Sequence, residues 1–335
     1  MEGRKTRIKM LILNVLRDSG KPVGSAHIMD ELRYAGQYMS ERAVRMYLKD
    51  LDDQGFTSKV GRKGRSISET GLREIESSKI LERVGFLSSR IDQITYRMSF
   101  DLREKSGTVI VNISIVKPEQ VKENLDLIYQ VYENGFAMGE MIALFGAGEK
   151  IGTITIPDGM VGIGTVCSIT LNGVLLKAGI PMTSRFGGLL EVRDFKPSRF
   201  VEIIMYDGTS LDPLEIFIKS GMTDNSGAIS TGRGRIGAGF REFPSDCLEK
   251  VYEVDSELKK TGLGGFNLIG RPGQSLLEIP VGEGRIGSVV IGGLNPIAVL
   301  EEKGIRIHSR ALAGIINYDQ LFHFTALGTY LKPHL

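Results

Sequence analysis

Two stretches of this chain repeat each other, and a duplication constrains the fold more than composition does. Ile154-Thr155-Ile156-Pro157 answers to Leu277-Glu278-Ile279-Pro280, and Gly162-Ile163-Gly164-Thr165-Val166 to Arg285-Ile286-Gly287-Ser288-Val289. Leu171-Asn172 matches Leu294-Asn295, Gly179-Ile180 matches Gly304-Ile305, and Ser184-Arg185 matches Ser309-Arg310. Before each match come a strand and a helix. In the first copy the strand is Val109–Val116 and Pro118 opens a helix to Asn134-Gly135. In the second the strand is Arg235–Phe240 and Pro244 opens a helix to Thr261-Gly262. Proline suits the first turn of a helix because its missing N–H would be unpaired there anyway. The copies span about 109–195 and 235–322. Each reads as strand, helix, two or three strands, short helix, two strands. Residues 196–225 join them with strand Phe200–Tyr206 and amphipathic segment Leu214–Ser220. Two such units are expected to pack about a pseudo-twofold axis, with a small-molecule cleft between them.

The first 77 residues differ in kind. They carry 15 Lys/Arg against 11 Asp/Glu, whereas the remainder carries 27 against 29, so the positive charge gathers at the N-terminus. Ile8, Leu11, Ile12, Val15 and Leu16 have helical spacing, ended by Ser19-Gly20. Ser25 opens a second helix burying Ile28 and Leu32, stopped by Gly36. Ser40 caps a third, Glu41–Gln54, whose Val44, Tyr47, Leu48 and Leu51 form the buried stripe. On its other side fall Arg42, Arg45 and Lys49. Phe56–Val60 and Arg65–Ser68 flank the turn Gly61–Gly64, a hairpin with Lys59, Arg62, Lys63 and Arg65 at its tip, and a last helix follows over Leu72–Ser77. Three helices and a hairpin wing make a winged helix-turn-helix. Such a module reads DNA with Ser40, Arg42, Arg45 and Lys49 at the third helix and the wing cations on phosphates. The same fold also serves as a protein-interaction module, its charged face merely solvated.

The expected fold class is therefore α+β. Residues 1–77 form the winged helix and 78–108 a linker helix region, with Ile80, Val84, Leu87, Ile91 and Ile94 at helical spacing. Residues 109–335 form a mixed α/β effector domain containing the duplication. Two cysteines, Cys167 and Cys247, exclude a disulfide scaffold, and four histidines show no metal-ligand spacing, so no metal and no cofactor are expected. Cys167 reads as a buried structural thiol. Gly232–Gly237 and Gly282–Gly287 both satisfy G-x-G-x-x-G, but each leads into a Val/Ile strand where a dinucleotide fingerprint needs a helix. No catalytic motif stands out, so no enzyme is expected; an enzyme on the duplicated domain, tethered by the winged helix, remains the alternative. The longest early apolar run, Met10–Leu13, is far shorter than the ~20 residues of a membrane span, which points to a soluble cytoplasmic protein.

Thr183-Ser184-Arg185 and His308-Ser309-Arg310 each set a guanidinium beside a hydroxyl. Arginine binds carboxylates through two parallel charge-assisted bonds, so Thr183, Ser184, Arg185, Ser309 and Arg310 are candidates for clamping a small dicarboxylate. Alternatively these arginines pair structurally with Glu191, Asp194 or Asp319.

The winged helix, the stretch Val84–Tyr96 with its Val-Gly-Phe-Leu, Arg-Ile-Asp and Thr-Tyr elements, and the glycine-rich duplicated region, above all Ile151–Arg193, together resemble the NrpR family of nitrogen-responsive transcriptional repressors of methanogenic archaea. The resemblance covers essentially the whole chain. It implies repression of nitrogen-assimilation genes by a dimer bound to palindromic operator DNA, and release by 2-oxoglutarate as effector ligand. Some members carry two tandem effector domains where this chain has room for one. A homodimer, a higher homo-oligomer or a paralogous effector-domain chain is therefore an expected partner, with no membrane involved.

Overall fold

The computed structural model describes residues 2–34, 37–61, 63–82 and 86–335, which fall into two compact units, Met1–Val84 and Gly85–Leu335. In the first unit, helices α1 (Glu2–Ser19), α2 (Ser25–Tyr34) and α3 (Glu41–Asp53) precede a hairpin of β1 (Thr57–Lys59) and β2 (Arg65–Ile67), then α4 (Glu69–Glu82). The helical periodicities converge on one core of Ile8, Ile12, Leu16, Ile28, Leu32, Val44, Leu48 and Leu51, with Tyr47 packed at its edge. The Ser40 hydroxyl accepts the Ala43 amide at 3.3 Å, the expected N-cap. Ser40→Ala is expected to cost ~1 kcal/mol and lower the melting midpoint of this unit by about 4–8 °C, measurable by calorimetry. Gly64 has φ +118° and approaches the Val23 carbonyl too closely for any Cβ, so it fixes the base of the wing. The last helix begins at Glu69, before the predicted Leu72, and runs past Ser77. Gly36 and Val84 lie outside the described residues.

The second unit begins with α5 (Phe86–Arg97). Its Leu87, Ile91 and Ile94 are buried in the same core as Val109, Val111 and Ile113, so this stretch packs as part of the second unit. The first copy follows as β3 (Thr108–Val116), α6 (Pro118–Glu123), α7 (Leu125–Glu133), β4 (Met141–Phe145), β5 (Lys150–Ile151), β6 (Ile154–Thr155), β7 (Val161–Val166), α8 (Ile169–Lys177) and β8 (Thr183–Arg193). Then come β9 (Lys196–Met205), α9 (Pro213–Lys219) and α10 (Asn225–Thr231). The second copy comprises β10 (Gly234–Pro244), α11 (Leu248–Lys259), β11 (Leu268–Ile269), β12 (Arg285–Ile291), α12 (Asn295–Glu302) and β13 (His308–Asn317), before β14 (Phe322–His323) and α13 (Leu327–Leu331). The predicted Pro118 helix is divided at Asn124, and the Pro244 helix starts only after a 3-10 turn, Ser245–Cys247.

Two five-stranded antiparallel sheets result, in order β13-β3-β7-β4-β14 and β11-β12-β10-β8-β9. The copies do more than pack face to face: they exchange strands. β8 of the first copy pairs with β10 of the second, and β13 of the second pairs with β3 of the first. Each hydrophobic core then mixes both copies, for example Val111 with Val290, and Ile163 with Phe240 and Ile297. Neither copy can bury its apolar face alone, so they should unfold together. The pairing register also aligns the repeats. Val111 faces Val166 as Phe240 faces Val289, and Asn112 faces Thr165 as Arg241 faces Ser288. Asn112 and Arg241 are therefore equivalent positions. Both G-x-G-x-x-G loops enter strands, with Gly232 ending α10 in a left-handed turn (φ 71°).

Candidate functional site

On the first unit, burial of Val44, Leu48 and Leu51 turns Arg42, Arg45 and Lys49 outward, and all three are exposed. Among the described residues Arg42 and Lys49 have no ion-pair partner. Arg45 does: its Nη2 donates to Glu41 Oε1 at 2.6 Å and its Nε to the Ser25 hydroxyl at 3.2 Å. Ser25 in turn donates to Glu41 Oε1 at 2.8 Å. The Ser25 bond, and then Arg45, hold the Glu41 carboxyl below the usual carboxylate range. Arg45 is thus pre-oriented yet still two-thirds exposed, with 66% of its side chain open. On the wing, Lys59 and Lys63 are exposed, and Arg62 lies outside the described residues. Arg65 is partly buried and paired. Its Nε donates to Asp52 Oδ2 at 2.7 Å, and Asp52 also accepts the Thr57 hydroxyl at 2.5 Å. A short ion pair at the hairpin base makes Arg65 a brace between wing and α3 through its Nε.

The strand exchange decides the fate of the other candidates. It places Arg185 against the opposite copy, where Nη1 donates to Glu242 Oε1 at 2.6 Å and to the Pro280 carbonyl at 3.1 Å. Arg285 flanks the same carboxylate at 3.2 Å and donates from Nη2 to the Thr183 hydroxyl at 2.9 Å. Arg310 instead sits 3.6 Å from Glu215 on α9. The Ser309 hydroxyl is buried against that of Ser114 at 2.9 Å. The two motifs lie on different sheets and in separate clusters, so they do not form one clamp. Their partners are Glu242 and Glu215, not Glu191, Asp194 or Asp319, because exchange and the α9 connection bring in residues far away in sequence. Ser184 alone joins a larger network: its hydroxyl accepts Asn172 Nδ2 at 2.9 Å.

That network leads to residues the sequence reading did not single out. Asn172 Oδ1 accepts a short hydrogen bond from Arg241 Nη1. The Arg241 guanidinium is 0% exposed. It also donates to the Ser168 carbonyl and hydroxyl, each at 2.8 Å, while its Nε has no partner. No carboxylate pairs with it among the described residues, and burial works against its charged form. Ser168 is a wall of a cavity of about 20 Å³ where the two copies meet, lined also by Asn112, Cys167, Tyr206, Asp212 and Leu312. The Asp212 carboxyl caps α9, accepting the Leu214 amide at 2.9 Å. Burial, then the charge of Glu215, pushes its pKa up to about 6. Cys167 is pushed up to about 12 by burial, so it is a protonated structural thiol, as expected. Gly293 closes the wall so tightly against the Val166 carbonyl that no Cβ fits. A signal for Arg241 did exist in the repeat: the strand alignment places it opposite Ser288 as Asn112 lies opposite Thr165, polar residues buried at one position of both copies.

The model of the NrpR regulatory domains NRD1 and 2 matches residues 84–323, nearly the whole second unit. The chain belongs to the NrpR family. The ribonuclease R winged-helix domain matches residues 10–75, in keeping with the first unit. Global nitrogen regulator NrpRI of Methanosarcina mazei is 36% identical over 321 residues, covering 96% of this chain and 99% of its own. Global nitrogen regulator NrpR of Methanocaldococcus jannaschii is 35% identical over 313 residues, 92% of this chain but 54% of its own length. This NrpR chain thus spans about half of that relative. Among solved structures, a nitrogen repressor-like protein from Methanococcus jannaschii superposes with a TM-score of 0.59 and 29% identity over 70% of this chain and 97% of the other. Among the described residues, no helix is long and apolar enough to cross a membrane.

Proposed function

We propose that this NrpR protein is a transcriptional repressor of nitrogen-assimilation genes that binds palindromic operator DNA as a dimer and is released by 2-oxoglutarate. The observation that carries the DNA half is the capped α3 with Arg42, Arg45 and Lys49 facing outward beside a wing bearing exposed Lys59 and Lys63. A twofold dimer would set two such helices about one DNA turn apart, ~34–36 Å. The wing lysines act on phosphates. Lys63→Ala is accordingly expected to weaken operator and random DNA alike and to reduce the salt slope by about one unit, read from affinities at several salt concentrations.

The ligand half rests on Arg241, a buried cation that no carboxylate among the described residues neutralises. A dicarboxylate at the adjoining cavity would supply that charge, with the wall residues Asn112 and Ser168 as hydrogen-bond partners. A wider groove elsewhere is lined by charges open to water, such as Lys250 paired with Glu253 at 2.9 Å. A cavity of about 20 Å³ holds roughly one water. A five-carbon dicarboxylate enters only if the walls part, which is the differential affinity between two states that release requires. Arg241→Met is expected to raise the 2-oxoglutarate Kd by about tenfold or more while leaving operator binding intact, since a charged hydrogen bond is worth ~1.5–3 kcal/mol. Titrating a labelled operator complex with 2-oxoglutarate tests the whole reading. Unchanged operator affinity up to millimolar ligand would reject the effector half.

A further inference from the structure

Helix α5 is fastened to the junction cavity. Ile91 lines it. Arg90 Nη2 donates to the Leu312 carbonyl at 2.8 Å, and the Ser88 hydroxyl donates to Asp207 at 2.8 Å, next to the wall residue Tyr206. The charge of Arg90 also favours the ionised form of Asp212.

Leu312 itself is strained. It is buried with φ 50°, in the left-handed region that a leucine adopts only under strain. It sits where β13 slips out of register with β3 between Arg310 and Gly314. Two hydrogen bonds hold this bulge: the Ala311 amide donates to Glu215 Oε1 at 2.6 Å, and the Leu312 amide to Asn112 Oδ1 at 3.3 Å. Asn112 is a cavity wall and Glu215 lies one turn from Asp212. A ligand competing for Asn112 would free the bulge to relax toward regular pairing. In sequence, the last helix of the DNA-reading unit ends at Glu82, and α5 begins at Phe86.

We propose that the Leu312 bulge and α5, joined through Arg90 and Ser88, are the lever by which cavity occupancy alters the winged helix. This rests on the effector reading above. Parting the walls shifts the Leu312 carbonyl and Asp207, and α5, which follows the winged helix in sequence, moves with these anchors. Strained, buried segments of this kind are suited to switching because two packings differ by little free energy.

The test uses the full chain and 2-oxoglutarate, with ligand binding measured by calorimetry and operator affinity by fluorescence anisotropy. In the native protein, ligand is expected to weaken operator binding by about tenfold or more. Arg90→Ala should bind both ligand and unliganded operator within about threefold of native, yet show less than about threefold release. Ser88→Ala, which removes only one hydroxyl, should fall between the two, and it keeps the test decisive if Arg90→Ala is poorly folded. Native-like release by both variants would overturn the lever while leaving the effector reading intact. A native protein that neither binds 2-oxoglutarate nor changes its operator affinity would overturn the effector reading and the lever with it.

Discussion

Arg42→Ala and Arg45→Ala are expected to cost ~1–3 kcal/mol each on operator DNA and distinctly less on random DNA. The reason is geometric. An arginine at a base edge reads guanine through two donors, and that pattern is lost with the wrong base. Alanine at either position should therefore flatten the ratio of operator to random affinity, whereas Lys63→Ala should preserve it. Arg45 adds a second signature. Glu41 and Ser25 already hold its guanidinium, so Glu41→Gln should loosen it and reduce discrimination without removing a positive charge. Anisotropy titrations with matched operator and scrambled duplexes decide the matter. Equal losses on both duplexes for the two arginine variants would displace α3 from the base-reading position.

The second large effect concerns Asp212 and pH. Its pKa is about 6 in the folded chain against an ordinary value of 3.8. Below the ordinary value both states hold the proton and the site carries no penalty. As pH rises through about 4–6 the unfolded chain releases its proton first, and folded stability falls; above the folded pKa the loss is complete. Two pKa units bound the effect from above at ~3 kcal/mol. Asp212→Asn keeps an oxygen for the α9 cap, where Asn serves as well as Asp. The variant should melt higher than native at pH 8 and lose the dependence between pH 4 and 7. Equal melting points at pH 8, with the slope intact, would show that Asp212 is ionised at little cost.

Local patterning carried most of the first unit. Ser40 precedes a helix whose apolar residues fall on one stripe, so the cap, the buried face and the outward arginines all follow from 3.6-residue spacing. What spacing did not show is a distant partner: Asp52, 13 positions away, accepts from Arg65 Nε. In the second unit, the Pro118 and Pro244 openings and the paired Ile-Gly segments exposed the duplication. They could not say which strand pairs with which.

Chain order thus determined the two regimes, the repeat, the helix caps and the arginine face of α3, because each depends on residues within a few positions of one another. Only the tertiary structure decided that β8 and β13 pair with strands of the other copy, that Arg185 and Arg310 pair with Glu242 and Glu215, and that Arg241 lies buried beside the cavity with no carboxylate partner among the described residues. These outcomes arise from pairing between residues from about 50 to 200 apart. Strand period alone leaves such pairings open, and the burial of both copies in shared cores selects one of them.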